Sequence, residues 1–211
     1  MEDGQAMSLL TILPLAIVMI AGPQLLSAIF LATSENWRRN SASFVVGATL
    51  SITLIVTVAY FFGSSVTGGE SSHMGLQIIV LLLLFFAMVS VYLGREKAEP
   101  PKWMGKLQSA NSRSSFKIGF LLLGVFPTDI LTSAAVGSYL SANGLPLRDS
   151  IGFVSCTVLL LALPSIAVLA LGKRAEAFLP KVRDWMNTNS WIVNEAVILL
   201  FILLTLNNLL G

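Results

Sequence analysis

Hydrophobic runs long enough to cross a membrane alternate with short polar connectors along the whole chain. The first run covers 7–32, interrupted by Pro14 and by Gly22-Pro23-Gln24, and it leaves through TSENWRRN. The second covers 43–63 and places small residues at Ser43, Gly47 and Ser51, a spacing that lets helices approach closely. A Gly/Ser loop over 64–75 leads into the third and most apolar run, 76–93, and a 94–116 connector containing Pro100-Pro101 follows. The fourth run is 117–142, the fifth 150–172 and the sixth 191–210. At about 1.5 Å rise per residue, each is long enough for most or all of a hydrocarbon core of roughly 30 Å. Between the fifth and sixth, Val182, Trp185 and Met186 fall on one helical face from Pro180 onward, predicting a short helix in the plane of the headgroups.

Composition agrees with a polytopic membrane protein in one compact domain. Of 211 residues 55% are hydrophobic and 11% charged, against about 25% charged in soluble domains. The start of the chain is acidic (Glu2, Asp3) and carries neither the basic region nor the cleavage site of a secretory signal. Cys156 is the only cysteine and His73 the only histidine, so neither a disulfide, nor paired-cysteine chemistry, nor a Cys/His metal site is expected. An intramembrane enzyme needs a nucleophile with a positioned base, paired aspartates or a metal. The sequence supplies none of these, so no catalytic residue, metal or cofactor is expected.

Charge sets the orientation. The connectors after the first, third and fifth runs carry two, six and four Lys/Arg, counting Lys117; elsewhere there is only Arg148. The positive-inside rule then predicts six helices with both termini outside and the basic connectors in the cytoplasm. The cations are spread over three juxtamembrane loops, where contact with membrane lipids suffices to explain them and nucleic acid does not.

The chemistry is concentrated in the fourth run, where Pro127, Thr128 and Asp129 lie near the middle. A carboxyl group at that depth costs at least about 2.5 kcal/mol on insertion scales and needs a wet or protein-lined site. Proline beside it breaks the helix and frees backbone groups at the same point. Thr128, Thr132, Ser133 and freed amides are the candidate donors to Asp129, with water. The first run contains a counterpart: MIAGPQLLSAIFLA over 19–32 matches LLGVFPTDILTSAA over 122–135 in its proline, the polar residue after it and a run of small side chains. Each is followed by a span with a glycine near its start, Gly47 and Gly152. Three spans per half, 7–93 and 117–210, make the second half enter from the opposite face, an inverted repeat whose paired broken helices point to a transport site between them. The candidate substrate or ion site is therefore Gly22, Pro23, Gln24, Pro127, Thr128, Asp129, Thr132 and Ser133, with Asp129 as the proton-coupling group. For Gln24, facing a cavity and bonding across helices are equally open. Glu195, about five residues into the sixth run, reads as structural.

These residues also carry a resemblance. AGPQLLSAIFLATSENWRRNSASFVVGATLS resembles the Gly-Pro first helix, basic turn and glycine-bearing second helix of the LysE exporter superfamily. GVFPTDILTSAAVGSYL, and LGKRAEAFLPKVRDWMNTNSWIVNEAVILLF after it, are similar to the GAP family, which includes the glycopeptidolipid- and sulfolipid-addressing membrane proteins. Where many of the superfamily have Asn-Pro-Lys, this chain has Phe126-Pro127-Thr128 and then Asp129. The resemblance implies a LysE-like all-α fold in the cytoplasmic membrane and outward movement of an envelope lipid or another small solute. The protein would act alone, as a homodimer, or as an accessory to a larger lipid exporter.

Overall fold

The computed structural model describes residues 9–62, 107 and 109–189, and single positions between 82 and 93 and between 191 and 206. Within them the fold is all-helical. The helices are α1 (Leu9–Ile20), α2 (Pro23–Ala32), α3 (Trp37–Phe62), α4 (Ser112–Val125), α5 (Pro127–Ala142), α6 (Ser150–Leu171) and α7 (Lys173–Thr188). Two, α3 and the segment Leu147–Leu171 containing α6, are long and apolar enough to span a membrane alone, with mean hydropathies of 2.1 and 2.4. The pairs α1/α2 and α4/α5 pass the same test jointly and bend by 69° and 70° at their breaks. The third and sixth runs of the sequence, 76–93 and 191–210, lie largely outside the described residues, as does the 64–75 loop.

Both breaks have one cause. The residue before a proline is pushed out of the α region by the proline ring. Phe126 obeys with an extended backbone (φ −66°, ψ 125°), and Gly22 takes a positive φ of 84° that suits glycine. The proline then opens the next helix as its first residue, where its missing N–H costs nothing. Pro23 and Pro127 thus start helices rather than kink them. Pro14, expected to interrupt the first run, sits inside α1 without a break. The second run also begins earlier than its hydropathy suggests. Trp37–Asn40 already form the first turn of α3, because the polar sequence WRRN is compatible with helix and only its hydropathy places it outside the apolar run. Likewise Ser112–Phe116 are helical before the fourth run starts, capped by Asn111, whose side chain accepts from the Ser114 N–H at 2.9 Å.

Glycines set the packing of α3. A side chain at Gly119 would strike the backbone of Phe44, one at Gly47 the backbone of Phe116, and one at Gly137 the backbone of Val56. Gly47 and Ser51, two of the three small residues noted in the second run, are buried. Because low numbers on α3 meet low numbers on α4 and α5, α3 runs parallel to the broken α4/α5 pair. The other broken pair, α1/α2, packs instead on α6, where Gly152 faces Ile12. Each broken pair therefore lies beside the unbroken helix from the other half of the chain.

One end of this bundle is basic. Asn40 Nδ2 donates to Ser34 Oγ (3.0 Å) and to the Ala110 carbonyl (2.9 Å), tying the end of α2, the start of α3 and the approach to α4 together. Arg38, Arg39, Arg113, Lys117 and the cations of α7 lie here, whereas Arg148 lies at the opposite end beside Asp149. The helix expected from Pro180 is longer, with Pro180 inside it, and starts at Lys173 directly after Gly172 (φ 52°). Ala175 and Leu179 already lie on the buried face, but a single i, i+4 pair before a proline gives too brief a period to read. Ala175, Leu179 and Met186 face the bundle, and Phe178 and Trp185 form a second, exposed stripe.

Candidate functional site

At the centre, the starts of α2 and α5 meet. Gln24 is the second residue of α2 and Asp129 the third of α5, with 2% and 0% exposure. Gln24 Nε2 donates to Asp129 Oδ2 at 2.6 Å, joining residues 105 positions apart. The bond requires both breaks, because only a helix restarting within the bundle presents its first turn there. Each helix start also projects unpaired N–H groups, equivalent to about half a positive charge, and a carboxylate in the first turn complements that field. No Lys or Arg forms an ion pair with Asp129 among the described residues. Gln24 Oε1 and Asp129 Oδ1 are buried without a geometric hydrogen-bond partner, so each member of the pair keeps an acceptor oxygen. What would complete them is a donor: a proton, a cation or an N–H or O–H of a bound solute.

The other candidates divide. Thr132 and Ser133 are buried on the same face of α5, yet neither donates to Asp129. The Thr132 hydroxyl donates to the Thr128 carbonyl at 2.7 Å, and the Ser133 hydroxyl to Met19 Sδ at 3.8 Å, a contact linking α5 to α1. Of the hydroxyls expected to serve Asp129, only that of Thr128 bears on its carboxyl, and the donor from across the helices is Gln24. Helical hydroxyls readily bond the carbonyl four residues back, which consumes their hydrogen. Pro127 and Thr128 are exposed, and Gly22 and Pro23 are partly buried at the other break. Their roles in the geometry are to open the two helices. Ser27, on the buried face of α2, donates to the Pro23 carbonyl at 2.6 Å and satisfies a backbone group next to the break. Cys156 is a free, partly buried thiol on α6. Glu195 Oε1 is a further buried carboxylate oxygen without a partner. Among the described residues no three His, Cys, Asp or Glu side chains gather into a metal-binding group.

Apolar helices long enough to span, broken pairs of matching bend and a carboxylate buried between them define an all-helical membrane protein with a polar centre. The family model of Sap, the sulfolipid-1-addressing protein, matches residues 12–210, and the chain belongs to this family. Comparison with curated proteins and with solved structures gives no match.

Proposed function

We propose that this protein is an exporter, or the membrane component of one, that moves a cell-envelope lipid or small solute outward across the cytoplasmic membrane. The observation that carries the reading is the Gln24–Asp129 bond between two helix starts. Unwound mid-membrane helices with polar groups at their ends are the usual construction of a transport site. A lipid cargo agrees with the family's description, and a buried polar pair in which each member keeps an acceptor oxygen is more than a scaffold needs.

The full architecture in this reading is six spans, three plus three, with the halves inverted. Several equivalences support it. Pro127 follows Pro23 by 104 positions, Gly152 follows Gly47 by 105, and Phe116 follows Ile12 by 104. Gly47 packs on Phe116 and Gly152 on Ile12, so the two contacts exchange under a shift of 104 to 105 positions. The bends of 69° and 70° match as well. Both chain ends then lie outside and the basic end faces the cytoplasm. Alternating access would rock one half against the other about the Gln24–Asp129 pair, with Asp129 taking up a proton on one side and releasing it on the other. No catalytic step is assigned.

Reconstitution tests this reading. Purified protein in liposomes with an imposed proton gradient is expected to move labelled envelope lipids or small metabolites, and to do so in a pH-dependent way. Asp129→Asn keeps the shape and removes the titration. It is expected to abolish the pH dependence while the protein still inserts. Tight co-purification with a larger exporter, and no flux from the protein alone, would make it an accessory instead.

A further inference from the structure

At the basic end, α2, α3 and α7 line a half-open cavity of about 300 Å³. It lies eight residues along α2 from Gln24, about 12 Å at the helical rise. Thr33, Ser34, Trp37, Glu176 and Arg183 are among its walls. The hydroxyls are already committed. Thr33 Oγ1 donates to the Ile29 carbonyl (3.0 Å) and Ser34 Oγ to the Leu31 carbonyl (2.7 Å), closing the end of α2.

The charged side chains keep bonding capacity. The Arg183 guanidinium is held from two sides. Its carbon stands 5.0 Å from the Phe30 ring centre, and its Nε and Nη2 reach Asp184 Oδ1 at 2.9 and 2.8 Å. Those bonds use two of its five N–H groups, so a pre-positioned fork keeps donors to spare. The arginine side chain is 18% exposed and Asp184 66%, so the pairing partner faces water while the arginine borders the cavity. The Glu176 carboxylate has neither a hydrogen bond nor an ion pair among the described residues. The α7 wall thus offers both a cation with free donors and, two turns away, a free carboxylate. A simple anion would meet Glu176 and a simple cation would meet Arg183. The complementary ligand is dipolar, an anionic oxygen group and an ammonium on one small frame.

Its position points to a lipid headgroup. The cavity lies at the basic end of a membrane-spanning bundle, the level at which cationic pockets between helices meet headgroups, whereas Phe178 and Trp185 are exposed on the other side of α7. The volume is at the lower edge of ligand pockets, roughly 300–1,000 Å³, and admits a headgroup but not a whole lipid. We propose that this cavity binds the zwitterionic headgroup of a phospholipid, phosphate on Arg183 and ammonium on Glu176. This is an equilibrium property that holds whether or not the protein transports.

Native mass spectrometry and competition on the purified full chain test it. The probes are phosphatidylethanolamine, phosphatidylglycerol, soluble glycerophosphoethanolamine and inorganic phosphate. Wild type is expected to retain phosphatidylethanolamine over phosphatidylglycerol, with glycerophosphoethanolamine competing more weakly and phosphate hardly at all. Arg183→Gln is expected to weaken phosphatidylethanolamine binding about tenfold or more, the weight of a charge-assisted hydrogen bond. Glu176→Gln, at an exposed position that leaves folding intact, is expected to erase the preference between the two lipids. Equal retention of both lipids by wild type would overturn the proposal. So would an unchanged preference in Glu176→Gln, undiminished binding in a folded Arg183→Gln, or displacement by phosphate as effective as by glycerophosphoethanolamine.

Discussion

Asp129 is tolerable at its depth because Gln24 reaches it and because it lies in the first turn of α5. Removing either partner is unequal in effect. Gln24→Leu leaves a buried carboxyl group without its donor, a loss of about 1–3 kcal/mol, whereas replacing both polar groups by apolar ones of similar size is close to neutral. Thermal unfolding in detergent is therefore expected to show Gln24→Leu clearly destabilised and the Gln24→Leu/Asp129→Leu double mutant largely restored. Equal destabilisation of single and double mutants would mean that the bond in the structure does not hold the site. The double mutant should nevertheless be silent in flux, separating stability from transport. Asp129 was legible in the sequence, because a lone carboxylate in an apolar run is conspicuous. Its partner was not, since 105 residues separate them and only the packed fold selects Gln24 over the nearer hydroxyls of Thr132 and Ser133.

At the scale of the helix, glycine decides how closely α3 can approach α4. Gly119 faces the Phe44 backbone, which cannot yield, while Gly124 faces the Ser51 hydroxyl, which can rotate aside. Gly119→Ala is expected to cost about 1–3 kcal/mol, the usual range for overpacking, and Gly124→Ala distinctly less. Comparing the two midpoints of unfolding checks this, and a reversed order would contradict the packing. The prolines act differently. Pro127→Ala frees Phe126 to return to helical geometry, which draws Asp129 away from Gln24, so flux should fall while insertion survives. Pro23 and Pro127 were legible as breaks because each is followed by a polar residue within an apolar run, Gln24 or Thr128, whereas Pro14 stands in such a run without breaking it. The 70° angle was hidden, because a proline kink and a proline restart look alike until the preceding residue's backbone is known. The early starts of α3 and α4 were hidden for another reason. Hydropathy marks where a helix enters lipid, and these helices begin in polar sequence before that point.

For the molecule as a whole, the distribution of charge and the direction of the helices say the same thing independently. The sequence places nearly all cations in three connectors, and the fold brings the described parts of those connectors to one end. It does so through contacts that owe nothing to charge: the Asn40 bonds to Ser34 and Ala110, and the glycine seam that makes α3 parallel to α4/α5. Arg148 and Asn143 lie at the other end, after α5. The positive-inside rule gives the expectation that such a body sits with its basic end on the cytoplasmic side. In a Cys156→Ser background, single cysteines at Ser109 and Lys181 are expected to be shielded from a membrane-impermeant thiol reagent in intact cells and labelled only after permeabilisation. A cysteine at Asn143 is expected to react in intact cells. Protection at Asn143 together with reaction at Ser109 would invert the protein. The sites would then share one end still, but an outward exporter with its basic end in the cytoplasm would no longer be tenable. Opposite reactivity at Ser109 and Lys181 would be more damaging, because it would separate connectors that the fold joins.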